Sequence, residues 1–198
     1  MKNIAFKLFA LLLLATSFVA CKKDYGNQLG PLQDSPAAIP ITVTNQEYFE
    51  RFPIVTTKVD TTKGPANSTG TFSIALSIPA ESGKIKEITK IAMGNSGVAY
   101  LQNANAPNYT TAPIAGNGSN TITFSSDLTT VRDYSKRLAA SSVKGRAYIF
   151  TGQTARLSQT LTPNPNLQTP DQLRFFFLIT LEDGTQLIST ETDVRLLY

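Results

Sequence analysis

The chain has 198 residues, with 18 lysines and arginines against 14 acidic residues, a single cysteine, and neither histidine nor tryptophan. The missing histidine excludes Ser-His-Asp and Cys-His nucleophile pairs and every zinc site built on histidine. One cysteine cannot form an intrachain disulfide, and the basic residues are too dispersed to indicate nucleic-acid binding.

The first 20 residues have the pattern of a secretory signal peptide. Lys2 and Lys7 form a basic start, residues 8–15 form an apolar stretch, and small residues lie near the end. The apolar stretch is shorter than the about 20 residues that a membrane-spanning helix needs. The pattern ends at Cys21, the only cysteine of the chain.

The residues before and at this cysteine, Phe18-Val19-Ala20-Cys21, resemble a bacterial lipobox in which Phe18 replaces the usual leucine. The resemblance implies that cleavage leaves Cys21 as the first residue and that it carries acyl chains such as palmitate. Two or more long chains hold a protein firmly in a bilayer, since each buried methylene contributes about 0.8 kcal/mol. The alternative is that Cys21 is incidental to a signal peptide cut further downstream.

The sequence C-K-K-D at residues 21–24 resembles the mature start of many Bacteroidota lipoproteins. The resemblance implies an outer-membrane location with the membrane as a partner through the lipid on Cys21. We favour the cell surface over the periplasmic face, because charged residues after the cysteine can promote surface display in that group. The alternative is that Lys22 and Lys23 only lie near anionic headgroups.

The remaining chain divides into a tether and one domain. Removing residues 1–20 leaves 178 residues and takes away two lysines, so the exported charge is nearly balanced. Residues 21–40 contain several glycines and prolines and few large apolar side chains, which is typical of a flexible tether with a reach of about 20–25 Å. We therefore expect a signal peptide at 1–20, a lipidated tether at 21–40 and a folded domain at 41–198.

The first half of this domain predicts strands. Residues 41–44 alternate, residues 52–59 are rich in β-formers, and residues 71–79 show the strictest period of two. The apolar positions of that last segment are Phe72, Ile74, Leu76 and Ile78. The spacing of Ile85, Ile88 and Ile91 breaks the period and predicts either a bulge or a brief helical turn.

The middle of the domain predicts loops and one helix. Residues 94–120 are rich in Gly, Asn, Ala and Pro, with a short strand expected at 98–101, and a further strand is expected at 121–124. Apolar residues at helical spacing predict one short helix near 126–138. Ser126 is its expected N-cap, and Asp127 is expected in the first turn.

The last part predicts strands again, at residues 146–151, 173–181, 185–189 and 194–198. Prolines exclude a helix or a central strand over residues 162–170. Residues 173–181 are apolar at both alternating sets of positions, so we expect both faces of this strand to be covered. Asp183-Gly184 predicts a tight turn after it.

Many short strands with little helix indicate a mainly β protein, namely a β-sandwich. The ending LRFFFLITLEDGTQLISTETDVRLLY at residues 173–198 resembles the last strands of immunoglobulin-like or fibronectin-like domains in Bacteroidota surface lipoproteins. The resemblance implies an immunoglobulin-like or fibronectin-like sandwich, here without the Cys-Trp-Cys hallmark of true immunoglobulin domains.

Few residues of the domain suggest a site. Tyr100 and Tyr109, among several asparagines, could form a ligand-contacting loop in which tyrosine faces stack on sugar rings; the alternative is that they are ordinary loop residues. Glu182 and Asp183 could ligate calcium, but a role in the turn is the simpler interpretation. Tyr134, Lys136 and Arg137 are expected on the solvated face of the helix. We expect no cofactor, no metal and no catalytic residue.

These observations favour a membrane-anchored, non-enzymatic binding or accessory lipoprotein of the bacterial cell envelope. Its partner would be an envelope protein or a surface glycan. The alternatives are a structural or assembly subunit of an envelope complex or surface fibre, a glycan-binding component of a glycan-uptake system, and an enzyme that relies on carboxylates alone. Fold alone cannot choose between them, because β-sandwiches have many unrelated functions.

Overall fold

The computed structural model of the protein describes residues 39–141, 150–151 and 170–198. Cys21 and the expected signal peptide and tether therefore lie outside the described residues, as do most of the segments 146–151 and 162–170. The helices of the described part are α1 (Gly97–Gln102) and α2 (Leu128–Ala140). The strands are β1 (Thr42–Val43), β2 (Tyr48–Phe49), β3 (Pro53–Lys58), β4 (Thr71–Ser77), β5 (Ile85–Met93), β6 (Ile114–Ala115), β7 (Thr121–Asp127), β8 (Phe150–Thr151), β9 (Gln172–Leu181), β10 (Gln186–Ile188) and β11 (Thr192–Leu197).

The strands form two sheets. The first has the order β1-β4-β7, and the second has the order β2-β3-β11-β9-β5-β6, with β8 and β10 also paired to β9. All pairs are antiparallel except β3 with β11, which run parallel from the pair Ile54 and Asp193 to the pair Lys58 and Leu197. The N-terminal segment thus contributes β1 to one sheet and β3 to the other, beside the last strand. The described residues are mainly β and form two sheets, so the predicted β-sandwich is confirmed.

The core lies between the inner faces of the two sheets. Strand β4 buries Phe72, Ile74 and Leu76 and exposes the residues between them fully or in part, which confirms the predicted period of two. It pairs with β7 over seven residues, and β7 adds Ile122 and Phe124 to the same face. Strand β5 carries irregularities of register between Ile85 and Glu87 and between Ile88 and Lys90, which confirms the predicted bulge. 

Strand β9 is covered on both faces, as expected. The side chains on its inner face are completely buried, including those of Phe175 and Phe177. On the outer face, the side chain of Phe176 is also buried. The cover over Phe176 is helix α1, where a Cβ atom at Gly97 would lie only 2.0 Å from the Phe176 ring. The prediction of a strand at 98–101 is therefore wrong. A contact between distant residues, and not local propensity, holds this short helix against the sheet.

Helix α2 confirms the helix predicted near 126–138, but its cap differs from the expected one. Asp127, with extended backbone, is the N-cap, and its Oδ1 accepts hydrogen bonds from Thr129 N at 2.7 Å and Thr130 N at 3.0 Å. Ser126 is still part of β7, opposite Phe72 of β4. The expectation that Tyr134 faces solvent is also wrong, because its ring is completely buried.

The turn after β9 is the tight turn that Asp183-Gly184 predicts. Asp183 Oδ1 accepts a hydrogen bond from Thr185 N at 2.9 Å, and Gly184 has a φ of 89°, in the left-handed region that glycine adopts without strain. Within the parts of the chain that the structure describes, no helix is both long and apolar enough to cross a bilayer.

Candidate functional site

The structure places Tyr109 in the core, so the expectation that this ring contacts a ligand is corrected. Its side chain is 1% exposed, and its ring centroid lies 5.6 Å from that of Phe124 and 5.5 Å from that of Phe175. The hydroxyl shares a hydrogen bond of 2.6 Å with Ser126 Oγ. Burial raises the pKa of Tyr109 well above its usual range. This ring offers no face to a sugar.

The loop around Tyr109 is held by backbone contacts to the sheet and to α2. Tyr109 N donates to Ile91 O at 3.0 Å, and the Arg137 guanidinium donates to the carbonyls of Asn108 and Tyr109, both at 2.7 Å. Arg137 is therefore a positioning residue for this loop, although we expected it on a solvated face. Asn108 Oδ1 accepts from Ile91 N at 2.8 Å. These contacts pull the loop inward and carry Tyr109 into the core.

Tyr100 is also buried, with 3% of its side chain exposed. It lies on α1, where the Lys90 ammonium donates to the carbonyls of Tyr100 and Asn103 at 2.8 and 2.7 Å and thereby satisfies the helix end. Asn103 Oδ1 accepts from Asn105 N at 2.9 Å. The amides at Asn103 and Asn108 thus support turns and backbone, which is the alternative interpretation given above.

Asp183, of the pair Glu182 and Asp183, stabilises the turn after β9. Asp183 supports the turn through the hydrogen bond from Thr185 N, and this bond lowers the pKa of its carboxyl below the usual value. Across the described ranges, no group of three or more acidic or other metal-ligating side chains comes together.

A different set of charged residues meets on the outer face of the second sheet. Arg174 of β9 lies opposite Asp193 of β11, and Gln172 lies opposite Arg195. Side chains alternate between the two faces of a strand, and the neighbouring residues Leu173 and Val194 point into the core. The four polar residues therefore form one block on the outer face.

Two ion pairs connect this block to its surroundings. Arg174 Nε lies 3.1 Å from Glu191 Oε1, and Arg195 Nη2 donates to Glu50 Oε1 at 2.6 Å. Arg174 also donates from Nη1 to Asn95 Oδ1 at 2.9 Å. Each arginine therefore has a carboxylate partner outside the block, and neither forms an ion pair with Asp193.

Asp193 is a buried carboxyl with an unusual protonation equilibrium. Its side chain is 7% exposed and shares a hydrogen bond with Glu191, while its Oδ1 has no hydrogen-bond partner. Burial raises the pKa of Asp193 to about 7, and the negative charge of Glu191 adds to that effect, while Arg174 and Arg195 oppose it. This carboxyl therefore changes its charge near neutral pH.

The block borders a concavity of about 330 Å³, which we call the charged cleft. Its lining comprises five charged and three uncharged residues: Glu50, Arg51, Arg174, Glu191, Asp193, Phe52, Ile54 and Gln172. A second concavity of about 360 Å³, which we call the apolar pocket, shares Arg51 and Phe52 with the charged cleft. Its lining comprises Ile41, Thr42, Val43, Gln46, Phe49, Arg51, Phe52, Pro53 and Thr190.

Arg51 and Phe52 form the ridge between the two concavities. The Arg51 guanidinium lies 5.2 Å from the centroid of the Phe52 ring, and both residues line both concavities. Phe49, which lines the apolar pocket, is 67% exposed, which is unusual for so large an apolar side chain. The combination of a charged and an apolar compartment is suited to an amphipathic ligand.

The sequence alone does not reveal this site, because its parts are distant along the chain. Residues 50–54, 172–174 and 191–195 meet only through the pairing of β3, β11 and β9. One signal was present: Arg174, Asp193 and Arg195 are charged residues within strands that are otherwise largely apolar. A comparison with protein-family models, curated proteins and solved structures finds no match to this chain.

Proposed function

We propose that the chain is a lipid-anchored, non-enzymatic binding or accessory lipoprotein of the bacterial cell envelope. Acyl chains on Cys21 would hold it in the outer membrane, and the sandwich would present its site from the end of the tether at residues 21–40. The observation that carries the binding function is the charged cleft and apolar pocket, which share Arg51 and Phe52.

The composition of the site supports binding over catalysis. The chain has no histidine, and its only cysteine is the expected lipidation site. Glu191 and Asp193 share a side-chain hydrogen bond, whereas the two carboxyls of a glycosidase lie about 5–10 Å apart across the scissile bond. The glycan-binding alternative required exposed tyrosine rings, and both Tyr100 and Tyr109 are buried.

The anchor is tested by the substitution Cys21→Ser. We expect wild-type protein to incorporate labelled palmitate and to sediment with outer membranes, and the variant to lose both properties. Lys22→Ser is the matched control, because it introduces the same residue one position later and keeps the thiol. A Cys21→Ser protein that still sediments with membranes and resists extraction would refute the lipid anchor.

An assembly subunit is the second candidate, and the open edge of β7 favours it. Within the described ranges β7 pairs only with β4. Ala75, opposite Thr123, directs its backbone towards the N-terminal segment, because Thr44 N donates to Ala75 O and Asn45 Oδ1 accepts from Ala75 N. In the alternating antiparallel pattern, the backbone groups of Thr123 and Ser125 then point away from β4.

This edge lacks the usual protection against another strand. The outward-facing positions of β7 carry threonine and serine, without lysine or proline. Thr123→Pro would remove one outward N–H without breaking a hydrogen bond to β4, whereas Thr123→Val would keep that N–H. Co-purification of an envelope protein that the proline variant loses and the valine variant keeps would support assembly. Equal co-purification by both variants would contradict it.

A further inference from the structure

Two charged side chains at the site have no ionic partner among the residues that the structure describes. Glu50 and Glu191 pair with Arg195 and Arg174, but no ion pair of the described residues includes Arg51 or Asp193. The Arg51 guanidinium packs on an aromatic ring, and Asp193 Oδ1 accepts no hydrogen bond. An arginine without an ion pair and a carboxyl with one unsatisfied oxygen, Oδ1, therefore border the same cleft.

The Asp193 carboxyl shares a hydrogen bond with Glu191, but its buried Oδ1 has no partner, and the free-energy cost of that atom is one that a ligand could remove. A polar group taken out of water without a hydrogen bond destabilises the folded protein, and an ionised group does so more strongly. Buried polar groups without a hydrogen bond are rare in native structures. One explanation for such a group is that it belongs to a binding site whose ligand is not bound. Asp193 meets this description, because it is nine-tenths buried and lines an open cleft.

We propose that this site binds a small zwitterion with an apolar side chain, either a free apolar amino acid or a short apolar peptide. The ammonium group would lie at Asp193, with Glu191 beside it, and the carboxylate would lie at Arg51. The apolar side chain would occupy the apolar pocket. This inference rests on the binding function proposed above and names the class of ligand.

The arrangement of the two concavities supports this class. Arg51 lines both concavities, so a carboxylate bound at its guanidinium is within reach of both. Phe49 and Phe52 provide apolar surface for a branched or aromatic side chain. Concavities of about 330 and 360 Å³ lie at the lower end of the range for ligand sites, which suits one or two amino-acid residues better than a long polymer.

The decisive probes are three molecules that share one apolar group and differ in charge. L-phenylalanine carries both charges, 3-phenylpropionate lacks the ammonium group, and phenethylamine lacks the carboxylate. Each is titrated by calorimetry into the full-length protein in detergent, and into detergent buffer alone to correct for partitioning into micelles. We expect L-phenylalanine to bind and each analogue to bind at least about tenfold more weakly, since each loses one charged contact.

Substitutions at the two unpaired charges give the second arm. Asp193→Asn should weaken L-phenylalanine binding about tenfold or more but leave 3-phenylpropionate unaffected, and Arg51→Gln should have the same effect on L-phenylalanine but leave phenethylamine unaffected. Asp133→Asn and Lys136→Gln are the matched controls, because these residues form an exposed ion pair on α2. If Asp193→Asn does not fold, the exposed Arg51 still provides the test.

The results that overturn the inference are equally definite. No binding of L-phenylalanine or of the dipeptide leucyl-leucine at millimolar concentrations would refute it, as would equal binding of all three phenyl compounds. Unchanged affinity in both variants would show that these charges do not recognise the ligand. If the wild-type protein binds none of the probes but the Cys21→Ser variant is released from membranes, this inference is refuted and the lipid anchor still holds.

Discussion

Arg174 and Asp193 lie directly opposite each other on β9 and β11, yet the Arg174 guanidinium forms its ion pair with Glu191. The cross-strand neighbour of Asp193 therefore does not neutralise it through a direct contact. The next arginine along β11, Arg195, pairs with Glu50. The charge at Asp193 thus depends on burial and on its neighbours, and this makes the site sensitive to pH.

The first prediction concerns the pH dependence of stability at Asp193. Its folded pKa of about 7 is raised above the ordinary value of 3.8, so the folded state binds this proton more tightly than the unfolded chain does. This contribution to stability is present at low pH and is lost as the pH rises from about 4 to about 7. We expect the free energy of unfolding to fall by at least about 1 kcal/mol between pH 5 and pH 8, since one pKa unit corresponds to about 1.4 kcal/mol.

Asp193→Asn should flatten this dependence, because the amide does not titrate. The measurement is urea denaturation of wild type and variant at the two pH values, with Asp133→Asn as an exposed control. The opposing charges of Arg174 and Arg195 limit the effect. If the wild-type and Asp193→Asn proteins lose the same stability over this range, Asp193 does not titrate near neutrality.

The second prediction concerns the close approach of α1 to β9. A Cβ atom at Gly97 would lie 2.0 Å from the Phe176 ring, so Gly97→Ala must displace either the helix or the ring. We expect a loss of about 1–3 kcal/mol in the free energy of unfolding. Val98→Ala, one residue further along the same helix and exposed, should change stability far less. Both values follow from urea denaturation.

A double substitution tests whether Phe176 is the cause. In the Phe176→Ala background the space for a Cβ atom exists, and Gly97→Ala should then cost much less than it does in wild type. Equal costs in the two backgrounds would mean that the Gly97–Phe176 contact does not hold α1 in place.

Local pattern was sufficient to predict some elements and insufficient for others. The alternation of buried and exposed side chains in β4 and the turn at Asp183-Gly184 are determined by residues adjacent in the sequence, so both could be predicted. Helix α1 depends on Phe176, which is far away in the sequence. Tyr109 lies in a segment whose composition is typical of a loop. Its place in the core depends on hydrogen bonds of its backbone to Ile91 and Arg137, which are distant in the sequence.

The charged cleft could not be predicted for a related reason. The sequence does not distinguish a strand residue whose charge is surrounded by solvent from one that lies beside other charged side chains. Asp193 acquires its properties from Arg174, Glu191 and Arg195, and pairing between strands decides which of these it meets. Strand register is a property of the whole sheet, and no local period in this sequence encodes it.

The third prediction concerns the cap of α2. Asp127→Ala removes the acceptor for Thr129 N and Thr130 N and should lower the free energy of unfolding by about 1 kcal/mol. Asp127→Asn is the matched control, because asparagine caps helices about as well as aspartate does. If Asp127→Ala is no less stable than Asp127→Asn in urea denaturation, the cap contributes nothing measurable.

The last prediction tests the burial of Tyr109 by chemical modification. Nitration by tetranitromethane requires access to the ring, so Tyr48, which is about half exposed, should react readily, whereas Tyr109 should not. Tyr134 is completely buried and should also be protected. Peptide mass spectrometry after brief treatment measures each site.

The hydroxyl of Tyr109 gives an independent readout. Tyr109→Phe deletes the partner of Ser126 Oγ and should cost about 1 kcal/mol, because it removes one buried hydrogen bond. The double variant with Ser126→Ala removes both partners and should cost less than the sum of the two single variants. Rapid nitration of Tyr109 in the folded protein, together with additive effects of the two substitutions, would contradict its place in the core and restore the ring as a candidate for ligand contact.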